Sequence, residues 1–240
     1  FLFHYETQEV VWETHGFWIR YNLIFQWLVS NPLMAIQRTV QTIQTQDYNY
    51  LSIWPLLPFR FFSESRTVFF LSILNSLAIP AAAMCIAAFA WFRASFSSTR
   101  NTWLTFAIPA AVLVFNPAFW MPITVGYLDV GLMFFACACF ILWFRRPMSE
   151  QSLLSLLSMG LLFAVGLFFR RYFVIWSIAF CCMVGVDVLT QLSVPFRDRI
   201  KGLVKIIAVG MVFMLAIILI AWPLVQHMIS YDYTDAYSGY

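Results

Sequence analysis

Charge is what this sequence has least of. Of 240 residues, 14 are Lys or Arg and 11 are Asp or Glu, a charged share of 10%. A soluble domain carries about 25%. With 62% hydrophobic residues and a mean hydropathy of +0.80, the chain is too apolar for an ordinary water-exposed globule. It has no block of basic residues, which argues against a nucleic-acid partner. No Walker loop, no His-Glu-x-x-His and no Gly-x-Ser-x-Gly occurs, and Asn101-Thr102-Trp103 fails the glycosylation triplet. No metal site and no cofactor is expected. The five cysteines, Cys85, Cys137, Cys139, Cys181 and Cys182, all fall in apolar runs without polar partners. They read as buried small residues rather than metal ligands or disulfide halves.

What is present is a series of long apolar runs. They are continuous rather than alternating, which excludes a β-barrel and predicts an all-α, polytopic transmembrane bundle. Six spans are expected, near 66–92, 102–116, 128–144, 152–169, 172–190 and 204–222. The division of 152–190 rests on Arg170 and Arg171. One helix through that run would be roughly 58 Å long, about twice the hydrocarbon thickness of a bilayer. It would also hold two arginines at its centre, at a cost of a few kcal/mol each or more. Two short spans with the arginine pair at the hairpin tip avoid both problems. Spans two and three are short, with Pro117, Pro122 and Gly126 between them.

The basic residues Arg93, Arg100, Arg145, Arg146, Arg197, Arg199, Lys201 and Lys205 fall in three loops on one side of this arrangement. The positive-inside rule makes that side cytoplasmic. The other side then holds residues 1–65, the turn 117–127, the arginine tip and the start of a further external loop, 223–240. Residues 1–65 form a long external first loop. From Ile19 to Ile43 apolar residues recur at helical spacing, and Pro32 divides the run, with Asn31 as a helix cap. Such Trp- and Phe-rich amphipathic helices lie in the interface plane. Trp54-Pro55-Leu56-Leu57-Pro58 reads as a rigid elbow. The chain opens on Phe1 and stops in a polar stretch, so a further N-terminal span is expected before it and the sequence reads as a fragment.

Arg170 and Arg171 stand where topology does not call for cations. One reading is a clamp on phosphate, because the planar guanidinium binds phosphate oxygens in pairs and never loses its charge. The other is snorkelling to lipid headgroups. Asp129 sits at the external end of a short span, and its possible roles are sugar-hydroxyl binding, pairing with an arginine, or complementing a helix dipole. Asp47, next to Tyr48 and Tyr50, and Glu13, near His15, are the candidate general bases, each also readable as a solvated loop residue. Asp187 is expected to cap, or to pair with, the basic loop after it.

Several short motifs now stand in order: Asp47-Tyr48-Asn49-Tyr50-Leu51, Pro55-Leu56-Leu57-Pro58, Ser65-Arg66 opening a span, Gly126-Tyr127-Leu128-Asp129, and Phe168-Phe169-Arg170-Arg171-Tyr172. Together with the layout they resemble the bacterial GT-C membrane glycosyltransferases, the dolichyl-phosphate-mannose-mannosyltransferase-like group that includes lipid A sugar transferases. The resemblance implies a multi-pass enzyme of the bacterial inner membrane, with its active site on the non-cytoplasmic face. It implies a polyprenyl-phosphate sugar as donor and direct displacement with inversion. Membrane lipids and a glycan, lipid or protein acceptor would be the partners. Arg170 and Arg171 would meet the donor phosphate, and Asp129, Tyr127, Tyr172 and Tyr48 would line the sugar or acceptor pocket. Family members carry their key acid soon after the first span, often as Asp-Glu or an Asp near a Tyr. Here that stretch holds Glu6, Glu9 and Glu13 but no Asp. The base is therefore a glutamate such as Glu13, Asp47, or a residue before Phe1.

Two other classes use the same features. A transporter or flippase for a lipid or anionic solute needs the cations and cavity without bond chemistry, but the chain shows no internal repeat. A non-catalytic assembly partner would have lost the first-loop acid.

Overall fold

The computed structural model describes residues 11–45, 50–96, 102–117, 119–120, 123, 128–145, 150–170, 173–190 and 194–223. Among them there is no strand. The elements are α1 (Val11–Ser30), α2 (Pro32–Thr45), a 3-10 turn (Leu51–Leu56), α3 (Leu57–Arg60), α4 (Arg66–Ile73), a π-turn (Leu74–Ala78), α5 (Ile79–Phe96), α6 (Thr102–Phe115), a second 3-10 turn (Leu128–Gly131), α7 (Leu132–Arg145), α8 (Leu153–Phe169), α9 (Phe173–Thr190) and α10 (Phe196–Ile220).

Among the described residues, four helical stretches are long and apolar enough to cross a membrane: Arg66–Arg93, Leu128–Arg145, Phe173–Thr190 and Phe196–Ile220. The other two expected spans are helices of 14 and 17 residues, α6 and α8. At 1.5 Å per residue they reach about 21 and 26 Å, short of a hydrocarbon core of about 30 Å. The last helix begins at Phe196, eight residues ahead of the expected start. Pro195 precedes it with a fixed φ of −53°, and Asp198 stands in its first turn, so the polar stretch continues the helix instead of forming a loop. Arg197, Arg199, Lys201 and Lys205 are therefore helical.

The first long stretch contains a break. Pro80 has no N–H to give to the carbonyl one turn back, and its ring crowds that carbonyl. The chain widens into a π-turn over Leu74–Ala78, where the Ile79 N–H reaches the Leu74 carbonyl. Above the break, α4 packs against α1, with the Tyr21 and Phe69 rings 5.3 Å apart. Below it, α5 packs along α7 and α6. Ser65 starts α4 by accepting a hydrogen bond from the Val68 N–H at 3.3 Å. Ser65→Ala is expected to lower stability by about 1 kcal/mol, read from thermal unfolding of the detergent-solubilised chain.

Two ends of the bundle can be told apart. At one, Phe92 and Phe144 meet at 5.2 Å, Gln151 donates to the Leu142 carbonyl, and Lys205 donates to the Gln151 carbonyl. Arg93, Arg145 and the basic start of α10 belong to this end. At the other, Leu77, Gly131 and Phe169 come together, and α1 and the first 3-10 turn pack over them in one core cluster.

Of the two N-terminal helices, α1 departs from the expected interfacial pair. α1 turns Phe17, Tyr21 and Ile24 into the protein core. Burial raises the Tyr21 phenol pKa, opposed by Ser72 and Arg60. α2 buries the small or polar residues Ala35, Thr39 and Thr42 and leaves Leu33, Ile36 and Val40 exposed. Asn31 caps α2, accepting from the Met34 N–H at 3.2 Å. The expected elbow at Trp54–Pro58 is helical, a 3-10 turn running into α3. Trp54 Nε1 donates to Thr39 Oγ1 at 2.9 Å and so ties this turn to α2. The cysteine expectation needs correcting as well. Cys139 is buried, but Cys181 and Cys182 are exposed, because they stand on the outer face of α9.

Candidate functional site

The site is built where α8 gives way to α9. α8 ends because Arg170 leaves the helical region, at φ −153° and ψ 126°, while its N–H still donates to the Gly166 carbonyl at 2.9 Å. The Phe173 N–H then donates to the Arg170 carbonyl at 3.0 Å and opens the next helix. Arg170 is thus the joint of the hairpin, as its place between two apolar runs implies. Its side chain does not reach outward to lipid headgroups. It turns into the protein and is 6% exposed.

There it meets Asp129, in the 3-10 turn that leads into α7. Arg170 Nε donates to Asp129 Oδ1, and Nη2 donates to Oδ2 at 3.1 Å. The two parallel bonds make a bidentate pair, the strong geometry for guanidinium and carboxylate. Of the roles open to Asp129, pairing with an arginine is the one its contacts show. The carboxylate is not sealed: its side chain is 37% exposed. Phe17 of α1 lies against the cation, its ring centroid 5.4 Å from the guanidinium carbon of Arg170 and 5.9 Å from that of Arg20. A ring face near a cation adds attraction through its quadrupole.

Beside the pair lies a cavity of about 240 Å³, lined by Pro55, Leu77, Pro80, Gly131, Phe135 and Phe169 with Ser76 among them. Gly131 is required here. A Cβ at this position would stand 2.9 Å from the Phe169 ring and 3.3 Å from Leu77. The result is an apolar recess whose lining residues Phe169 and Gly131 are one and two positions from Arg170 and Asp129 in the chain, a layout suited to an amphiphile with a polar head.

A second polar cluster ties α1 to α3. Arg60 Nε donates to Asn22 Oδ1 at 2.6 Å, Nη2 donates to Glu64 Oε2 at 2.6 Å, and the guanidinium lies 5.0 Å from the Phe25 ring centroid. Its groups are matched to one another, which makes it a clip between helices. At the opposite end of the bundle, Asp187 accepts from Trp143 Nε1 at 3.1 Å. α7 brings this indole alongside Asp187.

Arg171, Tyr172, Tyr127, Asp47 and Tyr48 lie outside the described residues. Glu13 lies in α1, one turn ahead of Phe17, and its side chain is also outside them. The structure thus brings together Asp129 and Arg170 of the residues singled out in the sequence. It adds Phe17, which the sequence did not mark, since nothing local to an apolar helical position reveals a cation arriving from 153 residues away. Among the described residues no three His, Cys, Asp or Glu side chains converge to hold a metal ion. Comparison with family models, curated proteins and solved structures returns no match.

Proposed function

We propose that the chain is a multi-pass inner-membrane glycosyltransferase that moves a sugar from a polyprenyl-phosphate donor to an acceptor on the non-cytoplasmic face. The observation that carries this reading is the buried Arg170, held by Asp129, with an apolar recess lined by Phe169, the residue before it, and by Gly131, two residues after Asp129. The recess suits a prenyl chain, and the guanidinium suits the phosphate at its head. The orientation follows from charge. The end opposite the site carries Arg93, Arg145, Arg197, Arg199, Lys201 and Lys205 and is the cytoplasmic one by the positive-inside rule. Arg20, Arg38 and Arg60 belong to the long N-terminal segment, where the rule has little weight, and Arg66 opens the first span. α2 fits the membrane interface, with Leu33, Ile36 and Val40 toward lipid and Gln37, Arg38 and Gln41 toward water.

In the reaction, Asp47 or Glu13 takes the proton of the acceptor hydroxyl as its oxygen attacks the anomeric carbon. The bond from that carbon to the phosphate oxygen breaks, the sugar inverts, and the phosphate leaves with the electron pair. Arg170 and Arg171 stabilise the charge that grows on it. Tyr127, Tyr172 and Tyr48 line the sugar or acceptor pocket. Asp129 holds the Arg170 fork in place at the edge of that pocket.

The test is an Arg170→Gln/Arg171→Gln double variant assayed with radiolabelled polyprenyl-phosphate sugars. Transfer is expected to fall at least a hundredfold with normal membrane insertion, and Arg171→Gln alone serves as a control that leaves the Asp129 pair intact. Full transfer by the double variant would remove the phosphate role.

A further inference from the structure

α10 stands on the outside of the bundle, and none of its most apolar 18-residue window is buried in the protein. Its basic start carries four cations, which divide into two pairs. Arg199 and Lys205 turn toward the protein. Arg199 Nη1 donates to the Leu189 carbonyl at 2.6 Å, and Lys205 Nζ donates to the Gln151 carbonyl at 2.8 Å. Leu189 is in the last turn of α9, so Arg199 meets one of the carbonyls that a helix leaves open at its end. Arg197 and Lys201 serve no such purpose, and both are exposed. Among the described residues Arg197 has no polar partner, and Lys201 meets Asp198 at 3.1 Å in an exposed pair of the kind worth little.

Helical phase puts these two cations at the head of an apolar stripe. At 100° per residue, positions 197, 201, 204, 208, 211 and 215 fall within about 40° of one line down the helix. Beyond Arg197 and Lys201 that line holds Val204, Ala208, Met211 and Leu215, all exposed. Depth is fixed from the other end. Trp222 follows α10 there, is 47% exposed, and fits the aromatic belt of a membrane interface. A hydrocarbon core of about 30 Å takes about 20 residues of helix. Counted back from Trp222, those residues end next to Lys201, which leaves Lys201 and Arg197 at the level of the lipid phosphates.

Phase and depth together select the ligand. A soluble anion would meet the cations and leave the stripe without a role. A lipid without net charge would cover the stripe and leave the cations unneutralised. Among the described residues this end of the bundle carries six basic side chains and three acidic ones, so it holds positive charge that its own carboxylates do not match.

We propose that Arg197 and Lys201 form a site for a phospholipid with a net negative headgroup. The two cations hold its phosphate, and its acyl chain lies along Val204, Ala208, Met211 and Leu215. The site is at the end of the bundle opposite Asp129 and Arg170. It rests on α10 crossing a bilayer and not on the glycosyltransferase reading. Asp198 stands beside Lys201 and weakens the attraction.

The experiment places the full chain in phosphatidylcholine vesicles with a trace of probe lipid. The probe is phosphatidylglycerol or phosphatidylcholine with the same chains and a diazirine on the upper part of one of them, and labelled residues are read by mass spectrometry. At Val204 and Ala208, phosphatidylglycerol is expected to label at least fivefold more than phosphatidylcholine, about the worth of one cation near a charged lipid surface. At the exposed Ile178 of α9 and Val112 of α6 the two probes should label alike, and labelling there reports that each variant is inserted and folded. Arg197→Gln/Lys201→Gln should bring the ratio at Val204 to about one, whereas Arg197→Lys/Lys201→Arg should keep it. Asp198→Asn should raise it about twofold or more, a gain that a misfolded chain does not give. Equal labelling of the unaltered chain by the two probes, or a preference that survives the double Gln variant, overturns the proposal. So does a preference lost in sodium phosphate but kept in sodium chloride of the same ionic strength, which would make the cations a site for a soluble anion.

Discussion

Asp129→Ala is expected to destabilise the folded chain by about 2–3 kcal/mol, and adding Arg170→Met should restore most of the loss. The single change leaves a guanidinium in the protein interior without its counter-charge. For a fully buried pair, such a removal costs about 3–5 kcal/mol. Here Arg170 is 6% exposed but the Asp129 side chain is 37% exposed, so water can reach the vacated position and the lower figure applies. The double variant has no charge left to compensate. Methionine also fills an irregular gap well. Replacing a buried ion pair by apolar groups of similar volume is often neutral, because the attraction only offsets the cost of desolvation. Thermal unfolding in mild detergent measures all three chains. A double variant as unstable as the single one would mean that Asp129 supports the fold by something other than neutralising Arg170. If stability recovers while transfer does not, the pair is kept for the reaction.

The parts of this fold that were legible in the sequence are those set by local chemistry. Runs of apolar residues mark helices because a backbone in lipid must satisfy its own hydrogen bonds. Two adjacent arginines inside such a run mark a break, since no span carries them cheaply, and Arg170 does stand between α8 and α9. Asn31-Pro32 marks a helix start for equally local reasons. What was not legible depends on partners far along the chain. The direction of the Arg170 side chain is set by Asp129, 41 residues earlier, and by Phe17. Hydropathy could not separate the faces of α9, because lipid-facing and protein-facing residues are both apolar in such a helix. Cys181 and Cys182 therefore read as buried and are not. The same blindness hid the burial of α1, whose Phe17, Tyr21 and Ile24 form an apolar face that suits a bilayer surface as well as a protein core. The start of α10 was missed for the opposite reason: its polar residues are good helix formers, and a loss of hydropathy is not a loss of helix.

Gly166→Ala is expected to cost about 3 kcal/mol and to disturb the site as well. A Cβ at Gly166 would lie 2.4 Å from the Phe173 ring, so the ring must move. Phe173 is 2% exposed, stacked on Trp176 at 4.9 Å and set against Phe135, so it has nowhere to swing. The hairpin itself would have to open, and overpacking of that kind costs about 1–3 kcal/mol. The position adds to this, since the Gly166 carbonyl takes the Arg170 N–H that ends α8. Opening the joint there shifts Arg170 from Asp129, and transfer should fall further than stability alone would explain. Two other glycines calibrate the effect. At Gly160 the same Cβ would meet the Phe213 ring at 2.3 Å, but Phe213 is only partly buried and can rotate outward, so Gly160→Ala should cost about 1 kcal/mol. At Gly210 nothing lies within 4 Å, and Gly210→Ala should be neutral or stabilise by up to about 1 kcal/mol through helix propensity. Unfolding temperatures in detergent should therefore rank Gly210→Ala above Gly160→Ala above Gly166→Ala. If Gly166→Ala instead unfolds with the wild type, α8 and α9 do not pack at the distance on which the placement of Arg170 depends.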